Sequence, residues 1–259
     1  EVLGLDLDDL DISAQDEVDR AVGSFKPTHI VNAAAYNAVD AAEDEPDRAF
    51  STNAFAPGCI ALAARRAGAS MIHYSTDYVF DGKKASDYTE EDKPNPLSIY
   101  AQSKLLGERS VLNTHRKSYV LRTSWLFGPG GQNFVSRLLK LANEKPELSF
   151  IDDQLCAPTY APDLARASFE LMEMNAPFGI YHATGAETMT PYAWAKSILA
   201  EAGIDKGMTP VSSNSFKTKA ARPARSVLST AKLVALGITI PGGPSRLPDY
   251  FAGRIEVKP

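Results

Sequence analysis

The chain has 259 residues, 44% of them hydrophobic and 23% charged, which is globular composition and excludes a fibrous or disordered polymer. A formal net charge of -5 argues against a nucleic-acid polymer as partner. No run approaches the ~18–20 apolar residues that span a bilayer, and no charged-then-apolar export signal opens the chain.

Residues 1–5 read as the end of a strand, followed by the acids Asp6, Asp8, Asp9 and Asp11. Ser13 is placed to cap a helix over 14–25, with Asp16 three positions on as the capping-box acid. After Lys26 and Pro27, the segment His29-Ile30-Val31-Asn32 is short, apolar and β-rich, as a buried strand is. A long helix is expected over 46–67, where Gly68 provides the stop. A strand at 70–74, a helix at 100–113, a strand at 119–122 and a helix at 133–144 follow.

Strand and helix thus alternate through the first half, which is the pattern of an α/β, Rossmann-like, doubly wound parallel sheet. Residues 1–150 are expected to form that main domain. Residues 151–259, richer in Pro and Gly, are expected to form a smaller lobe that can return an element to the main sheet. Such a fold opens with a strand, a glycine-rich turn and a helix, yet the chain contains no G-x-G-x-x-G. The expectation is that the first β-α unit is missing from this sequence. Cys59 and Cys156 are too few for a disulfide framework and point to a reducing, cytoplasmic setting. The four histidines, His29, His73, His115 and His182, lack metal-ligand spacing, so no metal site is expected.

Tyr100 and Lys104 stand four residues apart, on one face of the expected helix. A tyrosine with its ordinary pKa near 10 is a poor acid-base group at neutrality. Lowering that pKa by ~3 units takes about 4 kcal/mol, which one ammonium ~4 Å away supplies at an effective dielectric near 20. By itself the spacing fits an amphipathic tyrosine beside a solvated lysine better than a catalytic pair. Ser75-Thr76-Asp77 ends the strand before that helix, where a hydroxyl can polarise a substrate carbonyl or merely turn the chain. Asn32-Ala33-Ala34-Ala35 ends the strand before that one in small side chains, which allow either a cofactor or a packed helix to approach closely.

Taken together, Asn32-Ala-Ala-Ala, Ser75-Thr-Asp-Tyr-Val-Phe-Asp-Gly82, Tyr100-x-x-x-Lys104 and Arg122-Thr-Ser-Trp125 resemble the dTDP-4-dehydrorhamnose reductase family of extended short-chain dehydrogenases. The resemblance continues through Asn133-Phe134, Asp152-Asp153-Gln154, Ala157-Pro158-Thr159 and Arg222-Pro223-x-x-Ser226. It implies that 1–150 binds NADPH or NADH and that 151–259 receives a nucleotide-sugar, and a homodimer is the expected assembly. Tyr100 is then the proton donor to a C4 ketone, Lys104 its tuner and a ribose ligand, and Thr76 a hydrogen-bonding partner of the reacting oxygen. Asp77 and Trp125 contact the sugar. Asp6, Asp11 and Ile12 hold the adenosine, and Ala33, Ala34, Ala35 and Tyr74 lie along the cofactor. Arg222, Arg225 and Arg137 are candidates for the diphosphate, each equally readable as a surface arginine. Two alternatives share the fold: a non-catalytic subunit resembling the β subunit of methionine adenosyltransferase, and a nucleotide-sugar epimerase or dehydratase. The intact Thr76, Tyr100 and Lys104 set speaks against the first. A dehydratase pairs an Asp with a following Glu, and Tyr78 takes that place here.

Overall fold

The computed structural model describes residues 1–253. Helix α1 (Gln15–Phe25) leads into strand β1 (His29–Asn32). The expected long helix is three segments: α2 (Pro46–Phe50), a π-helical turn (Ser51–Phe55) and α3 (Ala56–Ala67), closed by Gly68 in the left-handed region at φ 72°. Then come β2 (Ser70–Thr76), α4 (Ile99–Thr114) and β3 (Ser118–Thr123). The chain continues through β4 (Leu126–Phe127), α5 (Phe134–Glu144), β5 (Leu148–Ile151), β6 (Thr159–Tyr160) and α6 (Ala161–Glu173). It ends with β7 (Gly179–His182), α7 (Pro191–Glu201), β8 (Met208–Val211), α8 (Ala231–Val234) and α9 (Leu247–Ala252).

The main sheet runs β1-β2-β3-β7, all parallel, so the later half does return a strand to it. Period-two alternation splits its side chains between two helical layers. Ile72, Tyr119, Leu121 and Tyr181 pack toward α6, together with Leu164 and Leu171. Met71 and Val120 pack on the opposite face against Val18, Ile60, Ala64 and Val111 from α1, α3 and α4. A second core joins α5, α7 and α9 around the fully buried Trp194, with Phe127, Leu138, Ile198 and Tyr250. Two short parallel pairs, β4-β6 and β5-β8, border it. This core therefore draws on α5, from before residue 150.

Two local expectations change. Residues 1–5 lie outside the sheet, because among the described residues no neighbour supplies them with a ladder. Ser13 does not cap α1: Asp11 captures its hydroxyl at 2.6 Å, and Ala14 becomes an N-cap without a side-chain hydrogen bond. Gly107 on α4 faces the π-helical turn so closely that a Cβ would overlap the Asn53 carbonyl, which brings the two segments into backbone contact.

Candidate active site

A cavity of about 710 Å³ opens beyond the carboxyl ends of β1, β2 and β3, where ligands of parallel α/β sheets bind. Ala33, Ala34 and Ala35 line one wall; Thr76, Asp77 and Tyr78 come from the end of β2, and Thr123, Ser124 and Trp125 from the end of β3. Helix α4 adds Tyr100 and Lys104, α6 adds Ala161, Leu164 and Ala165, and the late segment adds Arg222. Thr76, Asp77, Tyr100, Lys104, Tyr74, Trp125 and the three alanines are thus gathered in one place. Asp6, Asp11 and Ile12 are not among them. Asp6 is exposed and folds onto its own turn by accepting from the Leu7 amide at 2.8 Å. Asp11 is held by Ser13, and Ile12 rests against the α1–α3 core.

Each wall has a physical anchor. Asn32 is buried at the end of β1, where its Oδ1 accepts from the Ala34 amide at 3.1 Å and shapes the alanine turn. The π-helical turn aims Asn53 inward. Asn53 brackets Tyr36 by accepting from its amide at 2.8 Å and donating to its carbonyl at 3.0 Å, and it also reaches Ser103 of α4 at 3.0 Å. Asn53 escaped the sequence reading, although a polar side chain amid alanines on an inward helix face was an available signal. Below the cavity, Arg122 on β3 grips Glu108 of α4 through two hydrogen bonds of 2.8 and 2.7 Å, while Ser75 donates to the same carboxylate at 2.6 Å. That pair is fully buried and joins β3 to α4, the helix that carries Tyr100 and Lys104.

The electrostatics differ from the sequence expectation at one point. Burial pushes the Tyr100 phenol up to about 12, and the Thr76 hydroxyl offsets this only in part. Lys104 is itself brought down to about 8 by burial, and its Nζ donates to the Tyr74 carbonyl at 2.6 Å. In the free protein, desolvation therefore outweighs any lowering by the ammonium. The phenol is kept as an acid. Asp77 is pushed up to about 7 by burial, against the hydrogen bonds it receives from Ser226 and Thr76. Burial and the Arg122 charge bring His182 down to about 3, so it stays neutral beside the Arg122–Glu108 pair.

The residues present fit the nicotinamide end of a dinucleotide. The alanine wall admits a flat group, and Lys104 has spent one of its three N–H donors on Tyr74, leaving others for the cavity. Trp125 adopts φ 46°, a left-handed conformation that a bulky side chain adopts at a cost of ~1–3 kcal/mol, and packs on Phe134 with ring centroids 5.2 Å apart. Trp125 lines the cavity. Of the three candidate arginines, Arg222 lines the cavity while bound to Asp40 at 2.7 Å. Arg225 pairs with Asp87, and Arg137 is exposed on α5.

A parallel α/β sheet that delivers a Tyr-x-x-x-Lys helix and a strand-end threonine to one cavity defines the short-chain dehydrogenase class. Comparison with known proteins narrows this. The model of the family described as RmlD substrate binding domain matches residues 1–250. The chain is 41% identical over 244 residues to the dTDP-4-dehydrorhamnose reductase of Aggregatibacter actinomycetemcomitans, covering 90% of this chain and 83% of that protein. It is 40% identical over 238 residues to the spore coat polysaccharide biosynthesis protein SpsK of Bacillus subtilis, covering 92% and 83%. The crystal structure of dTDP-4-dehydrorhamnose reductase from Bacillus anthracis in complex with NADP superposes with a TM-score of 0.92 at 35% identity, covering 96% of this chain and 88% of that one. The chain belongs to the RmlD family, that of the dTDP-4-dehydrorhamnose reductases.

Proposed function

We propose that the protein reduces the C4 ketone of dTDP-4-dehydro-L-rhamnose to give dTDP-L-rhamnose, with NADPH or NADH as the reductant. The observation that carries this reading is the convergence of Thr76, Tyr100 and Lys104 on one cavity beside a wall of three alanines. The reduced nicotinamide, when bound, supplies hydride. Everything else falls to the protein. Tyr100 gives its phenolic proton to the C4 oxygen as negative charge develops there. A phenol held near 12 keeps that proton throughout the neutral range, and a sugar alkoxide is the stronger base, so the transfer runs downhill. Thr76 adds a second hydroxyl at the developing oxyanion. Lys104 directs its free N–H groups at the ribose hydroxyls and holds α4 against β2. Asp77 and Trp125 contact the sugar, and Asp6, Asp11 and Ile12 lie toward the adenosine.

Arg222 from the late segment closes part of the cavity wall beside Tyr78. Both cysteines are free thiols, which suits a cytoplasmic site of action, and no described helix is long and apolar enough to cross a membrane. A homodimer is the assembly this reading carries, which light scattering checks. The test of function is oxidation of NADPH or NADH on adding dTDP-4-dehydro-L-rhamnose, with the product identified by NMR. A new 4-hydroxyl formed in step with oxidised cofactor supports the reading. Cofactor binding without turnover refutes it in favour of a binding subunit.

A further inference from the structure

Asp77 lies at the back of the cavity, almost wholly buried, at the point where a distant segment crosses the end of β2. That segment, residues 220–228, is fastened down at several points. Arg222 pairs with Asp40, Arg225 bridges to Leu155, and Leu228 bridges to Tyr88. Gly82 lets it pass so near that a Cβ there would meet Pro223 at 2.7 Å. Its Ser226 is buried and donates its hydroxyl to Asp77 Oδ2. The other carboxylate oxygen, Oδ1, accepts from Thr76 Oγ1 at 3.3 Å. Thr76 Oγ1 in turn accepts from the Tyr78 amide at 3.2 Å.

A threonine hydroxyl has one proton and two lone pairs. With Asp77 ionised, the Thr76 proton points at Asp77, and Thr76 can only accept from whatever stands in the cavity. With Asp77 protonated, its own O–H can donate to Thr76 instead. Thr76 then accepts from Asp77 and from the Tyr78 amide, and its proton is free to point at a ketone. No bond to hydrogen is made or broken at Thr76; the hydroxyl rotates. We propose that Asp77, held by Ser226, is a positioning residue that sets which way the Thr76 hydroxyl points, and that the protonated form of Asp77 is the form competent for reduction. This inference rests on the reductase reading of the same cavity and adds a control to it.

The surroundings favour a carboxyl that changes state near neutrality. Its partners are neutral hydroxyls and backbone amides, and burial brings it to about 7. The other groups facing it titrate elsewhere. Tyr100 on α4 is at about 12, and burial pushes Tyr78 on the same turn and Cys156 beyond β5 further up. Arg222, which lines the same cavity, is engaged by Asp40 and Tyr78. Lys104, at about 8, is the one neighbour in the cavity whose own titration falls close by.

The test is the pH profile of kcat/KM for ketone reduction, together with an infrared titration of the carboxyl band in the protein without ligands. Wild type is expected to lose activity above about pH 7, by about tenfold per pH unit once Asp77 is ionised. In Asp77→Asn the side-chain amide can donate to Thr76 at every pH, so the falling limb should move up by about one unit, to the limb set by Lys104. Ser226→Ala removes a hydrogen bond that favours the carboxylate, so it should move both the limb and the infrared midpoint upward. A limb that stays in place in Asp77→Asn, or an infrared band near pH 7 that survives that substitution, overturns the inference. Absence of turnover in wild type overturns the reductase reading instead, while the infrared midpoint and its shift in Ser226→Ala still report on the carboxyl.

Discussion

Lys104 donates its ammonium proton to the carbonyl of Tyr74 at 2.6 Å, so the charge that serves the cavity also stitches α4 to the adjacent strand β2. Burial brings Lys104 from 10.5 to about 8. Between those values the unfolded chain keeps a proton that the folded protein has released, so stability rises with pH across that window. The buried lysine accounts for up to roughly 3 kcal/mol of that rise. Lys104→Met should abolish this rise, measured as the difference between urea unfolding at about pH 7.5 and about pH 10. The same variant should bind NADPH about ten- to a hundredfold more weakly, the worth of one charged hydrogen bond. Unchanged cofactor affinity would place the ammonium away from the ribose.

Tyr100→Phe removes one oxygen from a ring that is packed edge-on against Tyr78, with centroids 6.3 Å apart. The packing survives the change, so the thermal midpoint should stay within about 2 °C while turnover falls by ~10²–10⁴, the range for a positioned acid. Stopped-flow oxidation of NADPH with saturating sugar measures it. Retention of most of the activity would show that another group delivers the proton.

Much of this architecture could be read along the chain. The strand His29–Asn32 matches its expected bounds because an apolar run enclosed by Pro27 and a small-residue turn has few other conformations, but it is not the buried strand expected: at the end of the sheet order, its His29 and Val31 are exposed. The helix holding Tyr100 and Lys104 extends one residue beyond expectation at each end, capped by Ser98. What was hidden depends on contacts that no local pattern encodes. Lys104 and Glu108, four apart on α4, look like a solvated surface pair, yet both are buried and each is satisfied by a strand residue. Ser226 meets Asp77 across 149 residues. The acids expected near the adenosine share no wall with the rest: Asp6 accepts from Leu7 and Asp11 from Ser13, contacts within their own turns.

Thr76→Val keeps the side chain's shape but deletes the acceptor used by the Tyr78 amide at 3.2 Å. The turn should lose about 1–3 kcal/mol for the unpaired donor, read by urea unfolding. The rate should fall by about ten- to a hundredfold with cofactor affinity nearly unchanged, measured by fluorescence titration with NADPH. Thr76→Ser restores the hydroxyl and should restore most of the turnover. A large loss of cofactor binding in the valine variant would move Thr76 away from the ketone and toward the nicotinamide.

Arg122 and Glu108 are both almost completely inaccessible, and their two hydrogen bonds of 2.8 and 2.7 Å join β3 to α4 directly beneath the cavity. Two charges brought into the interior recover their desolvation only while each satisfies the other. Arg122→Met strands the Glu108 carboxylate with a single hydroxyl partner, Ser75, and should cost about 3–5 kcal/mol at neutral pH. Urea unfolding at neutral pH measures this loss. Converting the partner as well, in Arg122→Met with Glu108→Leu, removes the stranded charge and should recover most of the loss. If the double variant is no more stable than the single one, the loss comes from the packing of Arg122 against Phe80, 5.1 Å from its ring centroid, and not from the broken pair.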